Sequence, residues 1–177
     1  MNNIEFVYYL AYGSNLQLDR FMYYIKGGSY PVTGKYQDGC SDKKPHFNTN
    51  TPDKHIANNI RLYFGNISSS WGNGGVAFVE ESSGSKVLGR LYKVTKDQFY
   101  EIQKQESKSP HWYGRIIDEK VLGKKDGIPI WTITQEKQYK SKNAPSEKYL
   151  NVVINGFEET GYSEKEILIY LKEHINK

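Results

Sequence analysis

Tyr12-Gly13-Ser14-Asn15-Leu16 joins an apolar run, residues 4–12, to a helix-patterned stretch that reaches Ile25. A turn between a strand and a helix leaves backbone N–H groups unpaired at the helix start, and the positive end of the helix dipole adds to them. Such groups suit an anion, for instance a carboxylate. Gly13 lets a ligand come close to the backbone. Ser14 and Asn15 either cap the helix or bind a ligand with their side chains. The residues alone leave both readings open.

Glu106 is the second candidate. It follows Phe99 by seven residues and Ile102 by four. A 3.6-residue period puts all three on one stripe, where a leucine would be ordinary. A carboxylate on a buried stripe is costly to ionise, which is the setting of a general acid/base at neutral pH. The competing reading ends the helix by residue 105, with Pro110 nearby, and turns Glu106 to water.

The other reactive residue types lack partners. His46, His55, His111 and His174 show no metal-ligand spacing, so no metal is expected and surface or loop placement is. Cys40 is the single cysteine. It forms no intramolecular disulfide, which suits a reducing compartment, and no histidine adjoins it. Ser14 lacks the Gly-x-Ser-x-Gly flanks of a hydrolase nucleophile. Glu80-Glu81 reads as the solvated end of a strand.

The elements around these residues follow from pattern. Residues 4–12 read as a central strand. Leu18, Phe21, Met22 and Ile25 have helical spacing, and Gly27-Gly28 closes that helix. Residues 34–59 are polar, with Pro45 and Pro52, and read as a long loop or insertion. Arg61–Asn66 reads as a strand. Gly75–Glu80 and Lys86–Val94 read as two strands joined by a hairpin at Ser82-Ser83-Gly84-Ser85. Thr95-x-x-Gln98 is a capping box that opens the helix carrying Glu106. Residues 112–122 and 128–134 read as a second hairpin. Two helices close the chain, one from Ser146 to Gly161 and one from the capping box Ser163-x-x-Glu166. Strands and helices mix without βαβ alternation, which predicts an α+β fold.

At 177 residues the chain fits a single domain, residues 1–177. It is 25% charged, yet its 14% aromatic content argues against disorder. The apolar run at Ile4–Ala11 is short and holds Glu5, so it reads as a strand and not as an export segment. No stretch approaches a membrane span, and a cytoplasmic protein is expected. The net charge of +4 is spread among acidic residues, so a nucleic-acid partner is not expected. Oligomeric state, monomer or homodimer, is left open.

The chain resembles the gamma-glutamylcyclotransferase-like family. The segment Tyr8-Tyr9-Leu10-Ala11-Tyr12-Gly13-Ser14-Asn15-Leu16 looks like that family's loop after its first strand. Gly74-Gly75-Val76-Ala77-Phe78-Val79-Glu80, then Val87-Leu88-Gly89-Arg90-Leu91-Tyr92, is a second match. It leads to a helix whose end carries the family's glutamate, here Glu106, followed by a tyrosine, here Tyr113. Ala144-Pro145-Ser146-x-x-Tyr149 is a third. The resemblance spans residues 6–171. It implies a small mixed-strand barrel with flanking helices. It also implies a cofactor-free, metal-independent reaction, in which the α-amine of a gamma-glutamyl amide or amine attacks its own side-chain amide carbon and releases 5-oxoproline and the free amine. Glu106 would be the general acid/base. Tyr12, Gly13, Ser14, Asn15, Leu16, Tyr113 and Trp131 would contact the small-molecule substrate, Trp131 standing where many members carry a pocket tyrosine. Gln103 replaces the family's aspartate and Ser107 the glycine straight after the glutamate. The alternative is a non-catalytic protein of the same fold that binds a small carboxylate.

Overall fold

The computed structural model describes residues 3–175. The chain opens with strand β1 (Phe6–Ala11), a 3-10 turn at Ser14–Leu16 and helix α1 (Leu18–Lys26). Two short strands, β2 (Gly28–Ser29) and β3 (Tyr36–Gln37), pair with each other. Two long strands follow, β4 (Asp53–Ser68) and β5 (Gly74–Thr95), and then helix α2 (Lys96–Gln105). Next come β6 (Arg115–Ile117), a one-turn helix α3 (Glu119–Leu122), β7 (Lys124–Lys125) and β8 (Ile128–Thr134). Helices α4 (Glu147–Thr160) and α5 (Glu164–Ile175) end the described chain.

The main sheet has strand order β4-β5-β1-β8-β6, with β7 on β8. β1 runs antiparallel to β5 and parallel to β8, so the sheet is mixed. It curls into a half-barrel with helices packed on it, the α+β architecture expected. Two irregularities, at Asn58/Ile60 and Gly65/Ser68, interrupt the β4–β5 register, and Asn59 and Asn66 there take φ of 63° and 58°. Bulges of this kind bend a long ribbon and increase its twist.

β1 alternates between two cores. Leu10 joins the cluster that holds Phe78, Tyr149 and Phe157, while Val7, Tyr9 and Ala11 join Phe21, Tyr24, Phe99 and Ile102. The period-two side-chain alternation of a strand accounts for this split. α1 and α2 therefore lie together against one face, and α4 against the other. Gly156 in α4 is where that helix meets the turn after β1: a Cβ there would stand 2.6 Å from the Gln17 nitrogen.

Several boundaries differ from the sequence reading. Residues 53–59, taken as the end of a polar insertion, form the first half of β4. The two strands expected at 75–80 and 86–94 are one strand, β5, because β4 pairs with it along both halves. Glu80 thus lies within a strand, held between Arg61 and Lys140. Of the hairpin expected between 112–122 and 128–134, β6 does pair antiparallel with β8, but the rest of the first arm is a helical turn, and the short strand β7 follows it. β7 and β8 form a tight hairpin around Asp126 and Gly127, which take φ of 51° and 77°. The capping boxes at Thr95 and Ser163 are both formed. No helix among the described residues is long and apolar enough to cross a membrane.

Candidate active site

Helix α2 ends at Gln105, and Glu106 is its C-cap with φ −73° and ψ −5°. Its backbone N–H still reaches the Ile102 carbonyl at 2.9 Å. The helix stops one residue short of Glu106, yet the side chain keeps the stripe direction set by the wholly buried Phe99 and Ile102. The carboxylate is half-buried and meets the loop after β1. Asn15 Nδ2 donates to Glu106 Oε1 at 2.8 Å and to the Tyr9 hydroxyl at 3.0 Å.

The loop itself is a 3-10 turn. The Leu16 N–H returns to the Gly13 carbonyl and the Gln17 N–H to Ser14. The N–H groups of Ser14 and Asn15 take no such partner within the turn. Tyr149 of α4 sits against them, and its hydroxyl accepts from the Ala77 N–H at 3.0 Å. Only glycine fits at 13, since a Cβ would stand 2.7 Å from that hydroxyl and 3.0 Å from the Ala77 Cβ. A phenol that accepts an N–H bond has its own hydrogen left to donate, and Tyr149 lines the cavity beside it.

Two connected spaces share Ser14, Glu106, Tyr113 and Tyr149 as wall residues. The larger, about 260 Å³, adds Arg20, Trp71 and Trp112. The smaller, about 20 Å³, adds Tyr12, Gly13 and Asn15. A recess of that size holds one or two water-sized groups, since a single water needs roughly 10–15 Å³.

Electrostatically, Glu106 sits among phenols. Burial pushes Tyr9, Tyr24 and Tyr113 well above the usual phenol range, and the Glu106 charge adds to each. Burial likewise pushes Tyr149 up to about 12, against the pull of its N–H bond. All four stay protonated near neutral pH; Tyr113 already donates to the Ala77 carbonyl at 3.1 Å, whereas the Tyr149 hydroxyl is suited to stabilising a developing negative charge.

The expected residues divide. Glu106, Gly13, Ser14, Asn15 and Tyr113 come together. The Tyr12 ring lines the recess, but its hydroxyl is committed to the Ile133 carbonyl at 2.6 Å. Leu16 is wholly buried core and lines neither space. Trp131 is a correction. It lies on the face of β8 toward α2, its ring 5.4 Å from Phe99 and 6.1 Å from Tyr100, and its indole N–H donates to Glu119. It lines neither space, because its place in β8 aims it at the helix and not at the loop. Gln103, in place of the aspartate, is 1% exposed and donates to the Tyr113 carbonyl at 2.9 Å. Ser107 takes φ of 81°, a left-handed conformation that explains why glycine suits that position.

Arg20, Trp71 and Tyr149 were not singled out as site residues. Tyr149 stood in a quoted motif, and Arg20 lies four residues before Tyr24, on the same helix face. Trp71 gave no signal beyond its type. Cys40 is buried, and burial with the Glu101 carboxylate beside it pushes its thiol up to about 12. Among the described residues no group of three His, Cys, Asp or Glu side chains could hold a metal ion.

No protein-family model matches the sequence. The chain is 30% identical over 213 aligned residues to histone deacetylase 5 of Arabidopsis thaliana; the match covers 97% of this chain but 31% of that protein. The chain thus spans about a third of that relative's length. It is 26% identical to the gamma-glutamylcyclotransferase of Bos taurus, covering 86% of this chain and 71% of that one. With the Homo sapiens gamma-glutamylcyclotransferase it shares 24%, over 89% and 75%. Among solved structures, a gamma-glutamyl cyclotransferase superposes with TM-score 0.64 at 20% identity, over 94% of this chain and 87% of that one. YkqA of Bacillus subtilis superposes with TM-score 0.59 at 19% identity, over 97% and 55%. The chain shares the gamma-glutamylcyclotransferase-like fold with these structures and resembles the bovine and human cyclotransferases in sequence.

Proposed function

We propose that this protein cyclises a gamma-glutamyl amide or amine. The α-amine of the glutamyl group attacks its own side-chain amide carbon, a C–N bond forms, the original amide C–N bond breaks, and 5-oxoproline and the free amine leave. The two reacting atoms are tethered, so the protein has to hold the folded conformer and move one proton. Glu106 takes that proton from the attacking nitrogen and delivers it to the leaving nitrogen. The Ser14 and Asn15 N–H groups hold the glutamyl carboxylate, and the Tyr149 hydroxyl faces the developing oxyanion.

The observation that carries this reading is the 2.8 Å contact between the Asn15 amide and the Glu106 carboxylate on the wall of a shared cavity. It brings the acid/base candidate and the anion-holding loop within reach of one small substrate. The test is a panel of gamma-glutamyl compounds, with leaving groups from amino acids to polyamines, assayed for 5-oxoproline. Release from at least one is the expected result; release from none removes the proposal.

One observation favours a second reading, a binding protein without turnover. Ser107, next to Glu106, is a non-glycine residue at φ 81°. Calorimetric titration with 5-oxoproline beside the product assay separates the two readings: binding without product supports the second.

A further inference from the structure

Arg90 and Tyr92, on β5, are 3% and 1% exposed and meet the loop after β1 from its carbonyl side. The Tyr92 hydroxyl shares its one hydrogen between the Asn15 carbonyl at 2.8 Å and the Leu16 carbonyl at 3.2 Å. Arg90 Nη1 donates to that same Leu16 carbonyl at 3.2 Å and to the Glu159 carboxylate of α4 at 2.9 Å. Glu159 in turn accepts from the Leu18 N–H at the start of α1. The Tyr92 ring is stacked on Phe21, centroids 3.9 Å apart, and the Arg90 guanidinium lies 4.7 Å from the Tyr92 centroid. An ion pair this buried adds little net stability, since desolvation offsets the attraction. What it does supply is a fixed place for the Leu16 carbonyl.

A trans peptide is planar and points its C=O and N–H opposite ways. The Asn15 carbonyl held by Tyr92 shares a peptide with the Leu16 N–H, which donates to the Gly13 carbonyl at 3.1 Å. That carbonyl shares a peptide with the Ser14 N–H, which therefore points the other way. The Leu16 carbonyl held by Arg90 and Tyr92 shares a peptide with the Gln17 N–H, which donates to the Ser14 carbonyl at 3.2 Å. That carbonyl shares a peptide with the Asn15 N–H, again directed the other way. Two rigid relays thus run from β5 through the turn to Ser14 and Asn15, which both line the smaller recess. We infer that Tyr92 and Arg90 are positioning residues that keep the Ser14 and Asn15 N–H groups turned toward the recess, with Glu159 fixing Arg90. The carboxylate those groups grip rests on the proposed cyclisation; the relay itself rests on the hydrogen bonds above.

The test measures KM and kcat for 5-oxoproline release, calorimetric binding of 5-oxoproline, and amide hydrogen exchange by NMR in Tyr92→Phe, Arg90→Gln and Arg90→Lys. Tyr92→Phe keeps the ring on Phe21, so it stays informative should Arg90→Gln fail to fold. A carboxylate is held alike before and during the reaction, so a weakened grip reads in KM and not in kcat. KM and the 5-oxoproline Kd are expected to rise about five- to tenfold in Tyr92→Phe and in Arg90→Gln, with kcat within about threefold. Arg90→Lys recovers part of the loss, since it keeps a cation beside Glu159. Exchange quickens at the Leu16 and Gln17 N–H groups while the amides of β4 and β5 hold. A fall in kcat with KM unchanged overturns the inference, as does a lower melting temperature with KM, Kd and local exchange all unmoved.

The binding and exchange arms need no turnover. If the wild type releases no 5-oxoproline yet the Leu16 and Gln17 amides exchange faster in Tyr92→Phe, the relay stands and the proposed reaction falls. If the wild type turns over and neither KM nor those two amides respond in Tyr92→Phe, the relay falls and the reaction stands.

Discussion

Asn15 and Glu106 stand 91 residues apart in the chain and meet at 2.8 Å, amide to carboxylate, across the junction of the β1 loop and the end of α2. β1 and α2 pack on a common core through Tyr9 and Phe99, whose rings lie 5.9 Å apart. That packing fixes the distance between acid and loop.

Asn15→Ala removes the amide that holds the carboxylate. We expect kcat for 5-oxoproline release to fall about 10- to 100-fold through misplacement of the acid/base. Stability drops by about 1–2 kcal/mol, since a buried side chain with two hydrogen bonds is lost. Steady-state kinetics and thermal melting check the two effects separately.

Ser107→Gly relieves a left-handed backbone position. The strain of a non-glycine residue there is about 1 kcal/mol, partly offset by the extra freedom glycine has in the unfolded chain. The variant is expected to melt no lower than the wild type and to keep or raise kcat. A lower melting temperature with lower kcat contradicts this account of the position.

Trp131→Phe keeps an aromatic ring against Phe99 and Tyr100 and loses only the indole N–H bond to Glu119. KM and kcat should stay within about twofold, at a cost of about 1 kcal/mol in stability. A large rise in KM returns Trp131 to the substrate pocket.

Glu80 gives a pH signature. Burial alone would raise its carboxyl, but the hydrogen bonds from Lys140 and Arg61 outweigh it and hold the group below the ordinary carboxylate range. A depressed folded value stabilises the protein above the unfolded value, about pH 4.3, and that contribution is lost as pH falls through the folded one. Glu80→Gln should therefore destabilise by about 1–2 kcal/mol at pH 7, with the difference shrinking below about pH 4. Denaturant titrations at pH 7 and pH 3.5 measure it.

Much of this architecture was legible in the sequence because it depends on local pattern. The β1 loop, both capping boxes and the final helix pair announce themselves through turn residues, caps and apolar spacing. The inward direction of Glu106 followed from Phe99 and Ile102. What was missed depends on pairing between distant segments. β4 and β5 read as fragments because Ser82–Ser85 has turn composition; in the ribbon these residues form the register shift opposite Asn59, with β4 pairing on either side of it. Trp131 was named from the resemblance alone; which face of β8 meets the loop depends on the curl of the sheet, and Trp131 packs on Phe99 and Tyr100 instead. Arg20 looked like an ordinary charged helix residue; its burial comes from Tyr24, Tyr30 and Trp71 closing over it.

The most direct test is Glu106→Gln, assayed on whichever gamma-glutamyl compound the wild type turns over, with circular dichroism run on the same sample. The account predicts a folded protein whose 5-oxoproline release falls by about 10²- to 10⁴-fold, the usual weight of a general acid/base. A folded variant with wild-type turnover would contradict it.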